Sequence, residues 1–214
     1  MSGLSILVIL MMICALCAFG LRSYKKSLLA FWAQTGILIA IFYTLASTYE
    51  ASELYSWAKF AFLSKFLLIP AIIYFLISYA GFENEDEPIG GFFVSPFITL
   101  VLSLAFAVAL ANVFANFALI KDQIALIGGG FVFMVGIFGF IFRKSFVKQI
   151  LAYCTFENGI HLTLALTAYD AHELVELGIM TDAIFAVIIM VALAFRFNRV
   201  FNTLDTTKAT DLRG

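Results

Sequence analysis

The chain has 214 residues, of which 63% are hydrophobic and 13% are charged, and its formal net charge is −1. A soluble domain carries about 25% charged residues, so this composition excludes an ordinary soluble protein and predicts an all-α, polytopic membrane protein. The net charge says nothing about nucleic acid, but no basic arm is present to bind one, so we expect no nucleic acid partner. The apolar runs are too long for barrel strands.

Seven apolar runs are each long enough to cross a bilayer as a helix. The acidic stretch GFENEDEPIGG is the only clear linker between them. It divides the chain into an N-terminal three-helix segment (1–82), the linker (83–91), a fourth helix (92–120) and a final three-helix segment with a short tail (121–214). We expect the helices at about residues 3–21, 27–46, 54–80, 92–117, 124–141, 149–169 and 177–196.

The positive residues predict the orientation of the chain in the membrane. With seven crossings, most of the 13 Lys and Arg residues fall on one side. The positive-inside rule makes that side cytoplasmic, with the N-terminus outside and the C-terminus in the cytoplasm. No positive residue precedes the first apolar run, so we expect that run to remain as a helix rather than to be cleaved as a signal peptide.

Four ionisable residues fall at membrane depth and are the main candidates for a proton path. Glu157 and His161 are four residues apart in the sixth run, so they share one helix face. Lys65 lies in the third run and Asp182 in the seventh. A charged group at the bilayer centre costs about 2.5–3.5 kcal/mol on insertion scales, which favours proton or ion handling. The alternatives are a protonated Glu157 that only bonds a neighbouring helix, and a structural ion pair of Lys65 with either carboxylate.

Three further residues are weaker candidates for the same path. Gln34 lies near the middle of the second run, and a faint internal repeat (LAFWAQTGIL against LAYCTFENGI) places it opposite Glu157. Tyr153 precedes Glu157 on the same run. Lys59 lies nearer the membrane surface, where its side chain can instead extend to the outer interface.

The three cysteines do not predict a cofactor. Cys14 and Cys17 have the spacing of a redox pair but lie inside an apolar helix, where cysteine behaves as a small hydrophobic residue. With Cys154 they are too few for an iron–sulfur cluster or a zinc site. We therefore expect no cofactor or metal in this chain.

Several segments resemble the hydrogenase-4 component E family, and the resemblance covers nearly the whole chain. They are SYKKSLLAFWAQ, AFLSKFLLIP, QILAYCTFENGIHLTLAL, ELVELGIMTDAIFAVIIMVALAFR and LDTTKATDLRG. The last three helices are also similar to the K-type subunit of respiratory complex I and to the C-type subunit of Mrp sodium/proton antiporters. In the K-type pattern one acidic residue on each of the last two helices serves the proton path. Glu157 matches the first of them, and Asp182 stands where complex I subunits have glutamate.

This resemblance implies a membrane subunit of a group 4 nickel–iron hydrogenase of the formate hydrogenlyase type, in the cytoplasmic membrane of a bacterium or archaeon. It also implies that the nickel–iron centre and the iron–sulfur clusters lie on peripheral hydrogenase and iron–sulfur subunits. The membrane partners implied are antiporter-like and complex I H-like subunits. Two alternatives stay open: a subunit of a multisubunit sodium/proton antiporter, and a purely structural membrane anchor.

Overall fold

The computed structural model describes residues 3–114, 122–168 and 173–212, and for 173–180 and 210–212 it describes the backbone alone. The described residues form helical rods joined by short loops, and a 3₁₀ helix (Thr206–Leu212) ends the chain. The helices are α1 (Gly3–Gly20), α2 (Tyr24–Tyr49), α3 (Glu53–Ala61), α4 (Ile69–Ala80), α5 (Gly91–Phe114), α6 (Gln123–Phe142), α7 (Phe146–Thr167) and α8 (Glu173–Phe201).

The predicted all-helical, multi-pass class is confirmed. Within the described ranges, six of the rods are long and apolar enough to cross a membrane: α1, α2, the rod containing α3 and α4, α5, α6 and the Thr181–Phe201 part of α8. The rod that does not meet this criterion is α7, which carries Lys148, Glu157 and His161. The predicted orientation of the termini stays a prediction.

Helix α7 lies at the centre of the bundle, which explains why it tolerates polar residues. It contacts α1, α2, α4, α6 and α8, and its closest neighbour is α6. Glycines allow this close approach: a Cβ atom added at Gly136 would lie 2.5 Å from the Cα atom of Phe156, and one at Gly159 would lie 2.4 Å from the backbone nitrogen of Phe133. Small residues at a helix interface are what close packing in a membrane requires.

The third predicted helix is one continuous rod with an irregular centre. A π-helical segment (Phe62–Leu68) joins α3 to α4. Pro70 lacks the N–H group that an α-helix would direct to the Phe66 carbonyl oxygen. The Trp32 indole N–H donates to that oxygen instead at 3.0 Å, and its ring stacks on the Phe66 ring with centroids 4.8 Å apart. Segments of π-helix are rare and are frequently found at functional sites.

The acidic linker packs against the bundle. The Glu85 N–H donates to the Arg22 carbonyl at 3.0 Å, and Asn84 forms an isolated antiparallel bridge with Ser23. Glu85 is only 1% exposed, although its neighbours in the sequence are charged and exposed. The linker therefore folds onto the end of the bundle where α1 ends and α2 begins.

Candidate functional site in the bundle interior

The buried side chain of Lys65 lies close to three polar groups of α7. The Nζ atom of Lys65 lies 3.5 Å from the Glu157 Oε2 atom, 3.3 Å from the Asn158 Oδ1 atom and 2.9 Å from the His161 Nδ1 atom. The π-helical segment carries Lys65, while the other three residues lie within two turns of α7. We call Lys65, Glu157, Asn158 and His161 the central cluster.

The central cluster is almost closed to the surroundings. The side chains of Lys65 and Glu157 are 3% and 8% exposed. A lysine ammonium has three N–H donors, for which Glu157 and Asn158 supply acceptors and the His161 Nδ1 atom supplies a third when it carries no proton. Because little water screens these charges, a change in the protonation of one group alters the proton affinity of the others.

Histidine 161 couples the lysine to the backbone of α7. Its Nδ1 atom lies 2.9 Å from the Lys65 Nζ atom and 2.7 Å from the Glu157 carbonyl oxygen. If Nδ1 carries a proton, it donates to the carbonyl; if it does not, it accepts from the Lys65 ammonium. The tautomer of His161 and the protonation of Lys65 are therefore linked. The other ring nitrogen, Nε2, has no hydrogen-bond partner in the described parts of the chain.

Asn158 connects the central cluster to α2. Its Nδ2 atom donates to the Thr35 hydroxyl at 3.2 Å, and that hydroxyl donates to the Phe31 carbonyl at 3.1 Å. The amide oxygen of Asn158 consequently faces Lys65 as an acceptor. Neither residue was among the predicted site residues. The position of Asn158 between Glu157 and His161 was a usable signal, whereas nothing in the sequence singles out Thr35.

The predicted site residues do not all come together. Lys65, Glu157 and His161 meet, as just described. Asp182 lies on the exposed face of α8, yet it is within electrostatic range of both Glu157 and Tyr153. Tyr153 is half-buried and Lys59 is exposed. Gln34 is fully buried, and neither atom of its amide group has a hydrogen-bond partner among the described residues.

A second buried polar group lies where α7 begins, and the sequence did not indicate it. The Arg143 Nη1 atom donates to the Glu85 Oε2 atom at 2.9 Å, and each of these side chains is 1% exposed. The Arg143 guanidinium also lies over the Phe19 ring, 4.3 Å from its centroid. Burial raises the pKa of the Glu85 carboxyl, and the positive charges of Arg143 and Lys148 oppose that change.

Lys148 belongs to the same group and stabilises the end of α1. Its ammonium donates to the carbonyl oxygens of Ala18, Phe19 and Leu21, and to the Ser27 hydroxyl at 2.6 Å. Free carbonyls at a helix C-terminus attract a cation. The positive-inside argument treats Arg143 and Lys148 as charges at the membrane surface, but the structure buries both.

No metal site is apparent in the described ranges. They contain no group of three or more His, Cys, Asp or Glu residues that could hold a metal ion. Cys14, Cys17 and Cys154 are free thiols. The expectation that cofactors lie on other subunits stays a prediction.

Comparison with known proteins identifies the family. The model of the NADH-ubiquinone/plastoquinone oxidoreductase chain 4L family matches residues 124–214. Over 206 residues the chain is 35% identical to hydrogenase-4 component E of Escherichia coli (strain K12), which covers 96% of this chain and 94% of the relative. The chain belongs to the hydrogenase-4 component E family.

The chain is also similar to two further proteins. Hydrogenase-4 component E of Shigella flexneri shows the same 35% identity and coverage. An uncharacterized protein of Mycobacterium tuberculosis is 33% identical over 82 residues, which are 38% of this chain and 37% of that protein. No solved structure matches the chain.

Membership of the component E family makes the chain a multi-pass membrane subunit of a multisubunit hydrogenase or complex I-like assembly. The chain 4L match includes α6, α7 and α8, and so includes Glu157, His161 and Asp182, but it excludes Lys65. The central cluster thus joins a lysine outside the 4L-like part to polar residues within it.

Proposed function

We propose that this chain is a subunit of a membrane-bound hydrogenase and that its central cluster forms part of the path along which protons cross the membrane. The observation that carries the proposal is the position of Lys65, whose amine lies within 3.5 Å of a carboxylate, an amide and an imidazole from another helix. The imidazole, at 2.9 Å, is within direct reach for proton exchange with the Lys65 amine, and the carboxylate, at 3.5 Å, is within reach through one water molecule.

In this proposal Asp182 carries the path to a neighbouring subunit. It lies exposed on α8, not covered by the parts of the chain that the structure describes, although a carboxylate facing lipid would be costly. A neighbouring membrane subunit, antiporter-like or complex I H-like, would cover it and receive the proton. The redox reaction would take place on peripheral hydrogenase and iron–sulfur subunits, and the assembly would lie in the cytoplasmic membrane with the positive loops inside.

The test is to separate proton translocation from hydrogen chemistry in the intact complex. We expect Glu157→Gln to lower proton translocation into inverted membrane vesicles, measured with a pH-sensitive dye, because the amide cannot carry a proton. Hydrogen production from a reduced viologen, which donates electrons directly to the hydrogenase, should stay unchanged.

Glu83→Gln is the matched control, because it makes the same chemical change at an exposed residue outside the spanning rods. Subunit content on a native gel shows that the complex assembles. Normal translocation by an assembled Glu157→Gln complex would refute the proposal and favour a structural role. Proton exchange that needs sodium and persists without hydrogen chemistry would favour an antiporter subunit.

A further inference from the structure

Two cavities lie at the end of the bundle where α7 begins. The outer one has a volume of about 90 Å³ and lies between the linker, the start of α7 and the segment 203–205. Its lining combines the apolar Phe82 and Leu204 with polar side chains that include Asn84, Glu85, Ser145 and Asp205. A cavity of this size and polarity has room for several water molecules.

The inner cavity is much smaller and is lined in part by charged side chains. It has a volume of about 10 Å³ and lies between α1, α6 and α7. Arg143, Lys148 and Thr155 supply its polar lining, and Gly139 and Ala152 provide the space. This volume is about the smallest that holds one water molecule.

The Glu85–Arg143 pair connects the two cavities. Glu85 lines the outer cavity, Arg143 lines the inner one, and a 2.9 Å hydrogen bond joins them. The Oε1 atom of Glu85 and the Nε and Nη2 atoms of Arg143 are buried and have no hydrogen-bond partner among the described residues. Buried polar atoms in this condition are normally satisfied by internal water.

Beyond the inner cavity the polar residues continue along α7 to the central cluster. Lys148 and Thr155 are seven residues apart and Thr155 and Asn158 are three apart, so all three lie on one face of the helix. Thr155 is 3% exposed and Asn158 is fully buried, and Asn158 contacts Lys65. A hydroxyl group can accept one proton while it donates another, so Thr155 can continue a chain of hydrogen bonds.

The charges around the inner cavity balance locally. Glu85 compensates Arg143, and the C-terminal carbonyls of α1 compensate Lys148. A sodium ion needs several oxygen ligands, and no carboxylate lines this one-water space. A proton needs no set of oxygen ligands, because it moves by exchange between hydrogen-bonded groups.

We propose that the two cavities, joined through Glu85 and Arg143, form a hydrated entrance that admits protons, and not sodium ions, to the central cluster. The inference rests on the proposed function and adds to it the side from which protons enter and the ion that moves. In each step water in the outer cavity gives a proton to the Glu85 carboxylate. Glu85 gives a proton from its Oε1 side to a water molecule bound beside the Nε and Nη2 N–H groups of Arg143, which keeps its own protons. That water passes a proton to water in the inner cavity, and Thr155 accepts one there while it donates its own toward the Lys65 amine.

The first test removes one hydroxyl at the inner cavity. Thr155→Val keeps the shape of the side chain but cannot accept or donate a proton. We expect the assembled complex to translocate protons about tenfold more slowly, because losing one hydrogen bond of about 1.4 kcal/mol from the chain corresponds to a tenfold change in rate. Hydrogen production from reduced viologen should stay unchanged. Thr167→Val is the control, because Thr167 lies on the same helix, lines neither cavity and donates to the Thr163 carbonyl.

The second test blocks the outer cavity after assembly, so a folding defect cannot explain the result. Cys14, Cys17 and Cys154 are first replaced by alanine, and Asn84→Cys is then labelled with a bulky, membrane-impermeant maleimide. We expect labelling to lower proton translocation. The same treatment of Lys25→Cys, an exposed site outside the cavity, should have no effect.

The outcomes distinguish this inference from the proposed function. If Glu157→Gln slows translocation but neither Thr155→Val nor the label at residue 84 does so, the entrance is refuted and the central cluster keeps its role. If Glu157→Gln has no effect, the proposed function fails, and the entrance fails with it. Replacement of sodium by choline should leave the translocation rate unchanged, and a fall in that rate would refute the selectivity for protons.

Discussion

Removal of Lys65 and removal of Glu157 should destabilise the protein to different extents, because the two partners of this buried ion pair are not equivalent. Lys65 has three polar groups of α7 within 3.5 Å, whereas the Glu157 Oε2 atom has only the Lys65 charge and no hydrogen-bond partner among the described residues. Lys65→Met therefore leaves a buried carboxylate without compensation. Glu157→Gln leaves a lysine that still has Asn158 and His161.

The distance between the two charges sets the size of the expected change in the free energy of unfolding. At 3.5 Å the attraction amounts to about 5 kcal/mol with an effective dielectric constant of 20. Removal of one partner from a buried pair typically costs about 3–5 kcal/mol. We expect Lys65→Met to lower the free energy of unfolding by an amount in that range and Glu157→Gln to lower it by about 1–2 kcal/mol. The double variant should be more stable than Lys65→Met, because no isolated charge remains.

Protonation of the isolated Glu157 carboxylate limits the loss of stability in the Lys65→Met variant. At pH 7 the protonation of a carboxyl group with an ordinary pKa costs about 4 kcal/mol, and this cost falls by about 1.4 kcal/mol for each pH unit below 7. The deficit of Lys65→Met relative to the unaltered chain should therefore shrink as the pH is lowered.

The assay is the free energy of unfolding of the full chain in mixed micelles, titrated with sodium dodecyl sulfate at several pH values. A double-mutant cycle gives the coupling between the two residues. Additive effects within about 0.5 kcal/mol, or a Lys65→Met deficit independent of pH, would show that the pair is not a charged pair in a dry environment.

Two further predictions concern the framework that holds the central cluster. Gly136→Ala should prevent α6 from packing on α7, because the added Cβ atom would lie 2.5 Å from the Cα atom of Phe156, and the subunit should be missing from the complex on a native gel. Normal assembly would show that the two helices can separate. Trp32→Phe should cost about 1 kcal/mol in the detergent titration, because the Phe66 carbonyl loses its indole donor. Trp57→Phe is the matched comparison, because the Trp57 N–H has no partner among the described residues and this variant loses packing but no hydrogen bond. An equal fall in the free energy of unfolding in both variants would refute the role of the Trp32 hydrogen bond.

The sequence was sufficient for the class, the approximate helices and the family, because each depends on local composition. The apolar runs predicted the rods to within a few residues at most ends, and the segments around Glu157 and His161 led to the hydrogenase-4 component E family. The spacing of Glu157 and His161 also placed both side chains on one helix face, where the structure has them.

Only the tertiary structure decided which polar residues meet. Lys65 and Glu157 are far apart in the sequence, and a π-helical segment, which no periodicity in the sequence predicted, brings the lysine to α7. Glu85 lies in an acidic stretch typical of a solvated loop, yet it is buried against Arg143. Local sequence patterns indicate whether a residue prefers an aqueous or a lipid environment. They do not report which distant side chain will compensate its charge, because that depends on how the helices pack.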